Sequence, residues 1–422
     1  MSLTSDNAAG PLVDHLFRHE AGKMVAVLTR LFGIGNMSQA EDIVHDTLLK
    51  ALESWKFGNI PANPEAWLYM VARNKAIDLI RRNKLKRKID NDLTISLQSE
   101  YTLAPAIGEL FGPCEIADSQ LRMMFACCYP ALSAEAQITL ILNVLCGLSA
   151  KEIAAAFLTQ TDTINKRLYR SKERLRKENK PLDYPGEHEI LKRTETVLKA
   201  LYLLFSEGYC SAHPDLHIRE DLCEEAMRLV ILLTEHPKTN LPQANALMAL
   251  MCYQASRLGS RINDNGNIVL LEDQDRSKWH KYLVEKGNDY LVLSANGPDL
   301  HEYQIEAAIA GVHANSASFD DTDWQLILRL YDRLVIITGN PVAELNRCIA
   351  LARTGELSAA VEKMESLSGI SDNYYYKTSL GELNYQTGNI AVAKELFEAA
   401  FLQANTLAEK ELLQRKLELC CF

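Results

Sequence analysis

Apolar positions recur at helical spacing along most of this chain. The clearest pattern lies in residues 149–177, SAKEIAAAFLTQTDTINKRLYRSKERLRK. Ser149 and Glu152 have the S-x-x-E spacing of a capping box, which starts a helix by satisfying its orphan amide donors. Ile153, Ala154 and Phe157 supply the buried side of that helix. Leu158–Thr161 breaks it, and Thr161 or Asp162 can cap the next helix. There Ile164, Leu168, Ser171 and Leu175 recur at spacings of 4, 3 and 4, a narrow stripe suited to one packing face. Thr163, Lys166, Arg167, Arg170 and Arg174 lie off that stripe. A run of charge alone fits an ordinary solvated face. Cap, break and stripe together predict a helix-turn-helix: one helix braces, and the free face of the other enters the major groove of DNA.

The same periodicity predicts an all-helical segment over residues 11–90. Within Glu41–Trp55, Ile43, Val44, Leu48, Ala51, Leu52 and Trp55 share one side, leaving Glu41, Asp42, His45, Asp46 and Glu53 as an acidic face. Pro61 and Pro64 punctuate, and a helix follows from Glu65 to Arg82. On it Trp67, Val71, Asn74, Asp78, Arg81 and Arg82 fall on one side. A Trp among amide and guanidinium groups is either packed on a neighbouring helix or a platform on which an unpaired base stacks.

Residues 91–112 lose periodicity and hold Pro105, Gly108 and Gly112, so they read as a linker. Residues 113–180 are helical again. Pro181–Glu189 (PLDYPGEHE) marks a second boundary, and residues 190–340 are again mostly helical. Arg261–Leu271 is the exception. Asp264-Asn265-Gly266 between short apolar runs predicts a small β-hairpin. In residues 341–422, Ala352–Ala360 (ARTGELSAA) matches Tyr385–Ala393 (YQTGNIAVA) at an offset of 33. A Gly turn followed by small residues at that period suggests tetratricopeptide-type helix pairs. The fold class expected is therefore all-α, with two small N-terminal helical domains (1–90 and 113–180) and a helical C-terminal part.

Charge sharpens the division. The net charge of −10 is unevenly spread: residues 1–180 hold 23 Lys+Arg against 20 Asp+Glu, and residues 181–422 hold 22 against 35. The basic excess gathers in Arg81–Lys88 and Lys166–Lys180. The acidic C-terminal part is unsuited to touching phosphate and suited to repelling DNA or covering a basic surface. No apolar run reaches the ~18–20 residues of a membrane helix, and MSLTSDNAAG lacks a signal-peptide pattern, so a cytoplasmic chain is expected. The ten cysteines form no CxxC pair and read as free thiols.

With these motifs in view, the first 180 residues resemble the sigma-70 family of bacterial RNA polymerase sigma factors, in its extracytoplasmic-function (ECF) class. Ala40–Trp55 (AEDIVHDTLLKALESW) is similar to region 2.2, Pro64–Arg82 to regions 2.3–2.4, and Leu121–Phe157 plus the basic helix to region 4. Ser206–Tyr209 (SEGY), Ile268–Trp279 (IVLLEDQDRSKW), Ala307–Ala314 (AAIAGVHA) and Glu344–Leu351 (ELNRCIAL) resemble the subgroup whose long C-terminal extension ends in tetratricopeptide-like repeats. The resemblance implies partners, core RNA polymerase and promoter DNA, and a nucleoid-associated location.

It also implies roles. Asp42, His45, Asp46 and Leu49 would meet core polymerase, with His45 standing where the family commonly has Gln. Trp67, Asn74, Lys75, Arg81 and Arg82 would hold the −10 strand. Asp162, Thr163, Lys166 and Arg167 would reach −35 base edges, with Arg170 and Arg174 on phosphates. The fused C-terminal part would regulate, and its repeats would bind a protein partner.

Neither catalysis nor a cofactor is expected. Cys210, His213, His217 and Cys223 have spacings compatible with zinc, but His213 precedes a Pro and the set lies outside the motifs, so no metal site is assigned. Glu272, Asp273, Asp275 and Arg276 form a carboxylate-rich cluster without a nucleophile or phosphate loop, and are read as a regulatory or structural cluster. The alternative reading is a helix-turn-helix regulator on a helical scaffold, binding duplex DNA without polymerase.

Overall fold

The computed structural model describes residues 9–55, 60–89, 100–157, 159–178, 182–210, 218–263, 266–297, 300–404 and 406–421 of the chain. The described residues are mostly helical, as expected, except that Glu100–Glu109 forms a helix inside the stretch read as a linker, and the chain divides into two compact units, Met1–Leu204 and Phe205–Phe422.

The first unit contains α1 (Ala9–Phe32), α2 (Met37–Ser54), α3 (Pro64–Ile89), α4 (Glu100–Glu109), α5 (Pro113–Cys127), α6 (Ala134–Val144), α7 (Ala150–Ala156), α8 (Thr161–Glu178) and most of α9 (Glu187–Tyr209). Helix α1 packs against α2, α3 and α5, burying Met24, Val27 and Leu28. Helix α6 starts at Ser133, whose Oγ accepts from the Ala136 amide, and buries Ile138, Leu140, Ile141, Leu142 and Val144 on almost every side. A helix so uniformly apolar belongs in the centre of a core. Gly22 lets α1 pass close to the loop after α6. A Cβ there would lie 2.1 Å from the Leu145 carbonyl oxygen.

Ion pairs tie the N-terminal helices to the later ones. Arg30 reaches Glu115 at 2.7 Å and Asp118 at 3.0 Å, and Lys172 on α8 reaches Glu41 on α2 at 2.6 Å. The start of α9 and the segment before it complete the unit: Arg193 donates to the Phe125 carbonyl at 3.1 Å, and Tyr184 donates to Asp118 at 2.9 Å.

The second unit continues with α10 (Glu220–Glu235), α11 (Pro242–Ser256), α12 (Lys281–Ser294), α13 (Glu302–Asn315) and α14 (Trp324–Thr338). It ends with α15 (Pro341–Arg353), α16 (Leu357–Glu365), α17 (Tyr374–Gln386), α18 (Ile390–Phe401) and α19 (Leu407–Leu419). Helix α11 is its axis: every residue from Ala244 to Tyr253 is buried, and α10, α12 and α13 pack on it. Gly287 and Gly311 leave room for the Tyr253 ring, since a Cβ at either would come within 2.6 or 3.1 Å of it. Further on, helix pairs α15/α16 and α17/α18 turn at Gly355 and Gly388, both at positive φ (98° and 83°) that glycine adopts without a Cβ clash.

The expected hairpin is reduced, among the described residues, to one isolated antiparallel bridge, Ile262 with Ile268. Two turn residues, Asp264 and Asn265, lie outside the described residues, as do His213 and His217 of the zinc spacing. All ten cysteines are free; Cys114 and Cys421 are exposed, and the rest are buried or half-buried. No helix among the described residues is long and apolar enough to cross a membrane.

Candidate functional site

Three helices of the first unit carry the polar faces marked in the sequence. On α2, Ile43, Val44, Thr47 and Ala51 are buried, and Asp42, His45, Asp46 and Leu49 are all exposed on the opposite side. Leu52, expected in the apolar stripe, is instead 46% exposed, beside Leu49 at 47%. The stripe is narrower than the periodicity suggested, because α1 and α3 already cover its centre. The free face thus combines carboxylates with two exposed leucines.

On α3, Asn74, Asp78, Arg81 and Arg82 are exposed together. Val71 leaves this group: it is 5% exposed and belongs to the core with Leu68 and Ala72. Trp67 is half-buried, its ring 5.4 Å from that of Trp55, so it packs on its neighbour and offers only part of its surface. Met70, one turn before Asn74, is 45% exposed and was not marked by the sequence. Lys75 pairs with Asp46 at 3.2 Å, so the faces of α2 and α3 adjoin. Arg81 lies 3.9 Å from Asp78. The side chains of Lys84–Lys88, part of the basic cluster, lie outside the described residues.

Helix α7 carries the capping box read from the sequence. The Glu152 amide donates to Ser149 Oγ at 3.3 Å, and the Ser149 amide donates to Glu152 Oε2 at 2.8 Å. Helix α8 begins at Thr161, with the Gln160 carbonyl accepting from Thr163 and Ile164. Ile164, Ser171 and Leu175 are buried and Leu168 half-buried, and Asp162, Thr163, Lys166, Arg170 and Arg174 are exposed. Arg167 departs from its expected place. It is half-buried over the Phe157 ring at 5.5 Å and donates to Thr139 at 3.3 Å, which makes it a brace between α6, α7 and α8. Tyr169, 70% exposed, joins the free face unannounced. Its position off the stripe, between Lys166 and Arg170, was the available signal.

Titration accompanies the packing of this unit. Burial raises the Asp118 carboxyl, but hydrogen bonds from Arg122 and Tyr184 and the charges of Arg122 and Arg30 outweigh it and hold it below its ordinary range. Burial pushes the Cys127 thiol up to about 12 and Cys128 well above its usual value, so this vicinal pair is packed material with little thiolate.

The cluster at Glu272, Asp273, Asp275 and Arg276 does not converge. Glu272 pairs outward with Arg353 at 2.7 Å. Asp275 caps a short turn by accepting from the Ser277 amide at 3.0 Å. Asp273 is exposed. Arg276 turns inward, donating to the carbonyls of His313 and Ser316. No shared carboxylate site results.

Comparison with known proteins fits this arrangement. The Sigma-70 region 2 family matches residues 16–86, and a family of unknown function (DUF6596) matches residues 193–295. An uncharacterized protein of Rhizobium meliloti (strain 1021) is 32% identical over 385 residues, 91% of this chain and 90% of that protein. The ECF RNA polymerase sigma factor SigE of Mycolicibacterium smegmatis is 29% identical over 186 residues, 44% of this chain and 66% of SigE. The ECF RNA polymerase sigma factor SigL of Mycobacterium tuberculosis is 28% identical over 143 residues, 34% of this chain and 75% of SigL. No solved structure matches the chain. The chain therefore belongs to the family of its full-length Rhizobium relative, and carries a sigma-70 region 2 similar to that of ECF sigma factors, followed by a helical part of the DUF6596 kind.

Proposed function

We propose that the chain is an ECF-class sigma factor, with α2 docking on core RNA polymerase, α3 capturing the −10 strand and α8 reading the −35 element as the second helix of a helix-turn-helix. The observation that carries the reading is the exposure pattern of α8: a buried stripe of Ile164, Ser171 and Leu175 behind a free face of Asp162, Thr163, Lys166, Tyr169, Arg170 and Arg174. That face has amide-sized and basic side chains near its N-terminal end and arginines farther along, the order that base reading and phosphate clamping require. Asn74, with Met70 and Arg81 beside it, supplies an amide for an unpaired base edge and a cation for its backbone. The acidic and leucine-bearing face of α2 suits a basic partner surface. The factor performs no bond chemistry of its own. It acts in the cytoplasm at the nucleoid.

Residues 205–422 regulate this activity in our reading, with α15–α18 acting as tetratricopeptide-like pairs that hold a protein partner. The support is the 33-residue spacing of Gly355 and Gly388 in equivalent turns. The test is reconstituted initiation with purified core polymerase on fragmented genomic DNA, reading transcript 5′ ends. Defined starts sharing −35 and −10 elements are expected from the full chain or from residues 1–209, with a different yield from each. Absence of core binding by both would overturn the sigma reading, and equal yields would overturn the regulatory one.

A further inference from the structure

Three segments of the second unit, each distant in sequence, meet around a cavity of about 30 Å³. Tyr253, Gln254 and Arg257 come from the end of α11, Leu271 and Trp279 from the turns that follow, and His313 from α13. The cations around it are unusual. Arg257 donates to the neutral Gln254 Oε1 at 2.9 and 3.3 Å and lies 5.5 Å over the Tyr209 ring, with Arg261 on the same ring at 3.7 Å. Arg276 lies 4.9 Å over the Trp279 ring, and its Nη1 is used by the carbonyls of His313 and Ser316.

Three donor-capable nitrogens here are buried without a hydrogen-bond partner: Arg276 Nη2, Trp279 Nε1 and His313 Nδ1. No carboxylate lines the cavity among the described residues. Glu272 is turned out to Arg353, and Asp321, the acid that favours the charge on Arg276, accepts from Ser318 Oγ at 2.7 Å. Burial, then the positive charges of Arg257 and Arg276, push the His313 imidazole down to about 4. Burial and Arg257 likewise lower Arg276, and Asp321 only partly offsets them.

Buried cations are ordinarily paired, because an uncompensated one costs several kcal/mol. Here, among the described residues, no carboxylate pairs directly with Arg257, whose partners are the Gln254 amide oxygen and Tyr209, while donors and stacked aromatic rings are in place. We propose that this cavity binds one small oxyanion, the carboxylate or phosphoryl group of a small molecule, held by Arg257 with Trp279 and His313 beside it, and with Arg276 outside the lining, stacked on the Trp279 ring. The cavity has room for about two water molecules, so only oxygens of a small head group enter it and a nucleotide base and sugar are excluded. The site is independent of the sigma reading: it needs neither DNA nor polymerase.

The proposal has a strong internal control. Gln254→Glu would place a carboxylate against Arg257 at almost constant shape, so the chain would supply its own anion. The experiment is calorimetric titration of the full chain with inorganic phosphate and, separately, acetate, against chloride at equal ionic strength. Saturable binding of at least one probe is expected. Phosphate alone would mark a phosphoryl site, and acetate alone a carboxylate site. Arg257→Gln should weaken binding by about tenfold or more, as loss of a charge-assisted contact does. Gln254→Glu should abolish it and raise the melting temperature.

An anion also favours the protonated imidazole, which is pushed down to about 4 in the free chain, so acetate should bind tighter as pH falls from about 6 toward about 5 in the wild type and not in His313→Gln. No saturable binding of either probe would overturn the proposal, as would wild-type affinity in Gln254→Glu. If Arg257→Gln does not fold, Gln254→Glu decides alone.

Discussion

Arginine does two different jobs in the two units. On α8, Arg170 and Arg174 stand in water, where a cation costs little and is screened within ~8–10 Å by salt. Around the second unit's cavity, Arg257 and Arg276 sit against aromatic rings and carbonyl groups, and burial lowers the pKa of both. An exposed row suits a polyanion, whose many phosphates are bound weakly and released by salt. A half-buried arginine stacked on aromatic rings suits a single anion, bound in a fixed place with a few strong contacts. In the readings proposed above, the same side chain serves a nucleic-acid face in one unit and a small-ligand site in the other, and exposure is what separates them.

Substitutions can break that contrast, beginning with the scaffolds beneath it. Gly22→Ala should have the largest effect. A methyl group 2.1 Å from the Leu145 carbonyl must displace backbone, at a cost of roughly 3 kcal/mol or more in urea unfolding of the first unit. Acid should separate the two units next. The imidazole of His313 binds its proton near 4 instead of 6.5, so between those values the unfolded chain holds more protons. Stability of the second unit is then full above about pH 6.5 and drains by up to about 3 kcal/mol as pH falls to 4. In the first unit the Asp118 carboxyl is also held below its usual value, so its contribution drains in the same direction but at lower pH. Its contribution is present above 3.8 and is lost only as pH falls below that value. Thermal melts at neutral and mildly acid pH should show the second unit failing first, and His313→Gln should flatten the slope.

On DNA, Lys166→Ala should cost about 1–3 kcal/mol at one −35 position and relax its preference. Arg174→Ala should weaken binding to every sequence and flatten the salt slope by about 1. Binding measured across a promoter library and a salt series separates the two. An unchanged preference in Lys166→Ala would remove it from the base-reading group. The smallest effect is expected for Lys75→Met. Its pair with Asp46 is largely solvated, and such pairs contribute about 0–1 kcal/mol.

Local chemistry was legible in the sequence. The capping box at Ser149 and Glu152 and the buried stripe of α8 depend only on neighbours within a few turns, and both are present. Periodicity gives the direction of a face but not its width, which is set by the helices that cover it. Leu52 and Val71 exchanged places with expectation for that reason. Arg167 was misread likewise: nothing in its helix announces Phe157 and Thr139. The cavity was the least legible part. Arg276 and His313 were noticed only as parts of separate motifs, Ile268–Trp279 and Ala307–Ala314, and Arg257 not at all, because nothing along the chain shows that they share a site.

The scattered cysteines give each unit its own chemical handle. Burial pushes the thiols of Cys127, Cys223 and Cys252 to about 12 and that of Cys348 to about 11, which leaves them almost without thiolate at neutral pH. Cys114 in the first unit and Cys421 in the second are exposed. The unmodified chain should therefore take one fluorophore in each unit, with half-buried Cys210 the slower competitor. Energy transfer between the two dyes would follow the separation of the units as polymerase or an anion is added, with no engineered residue to disturb either.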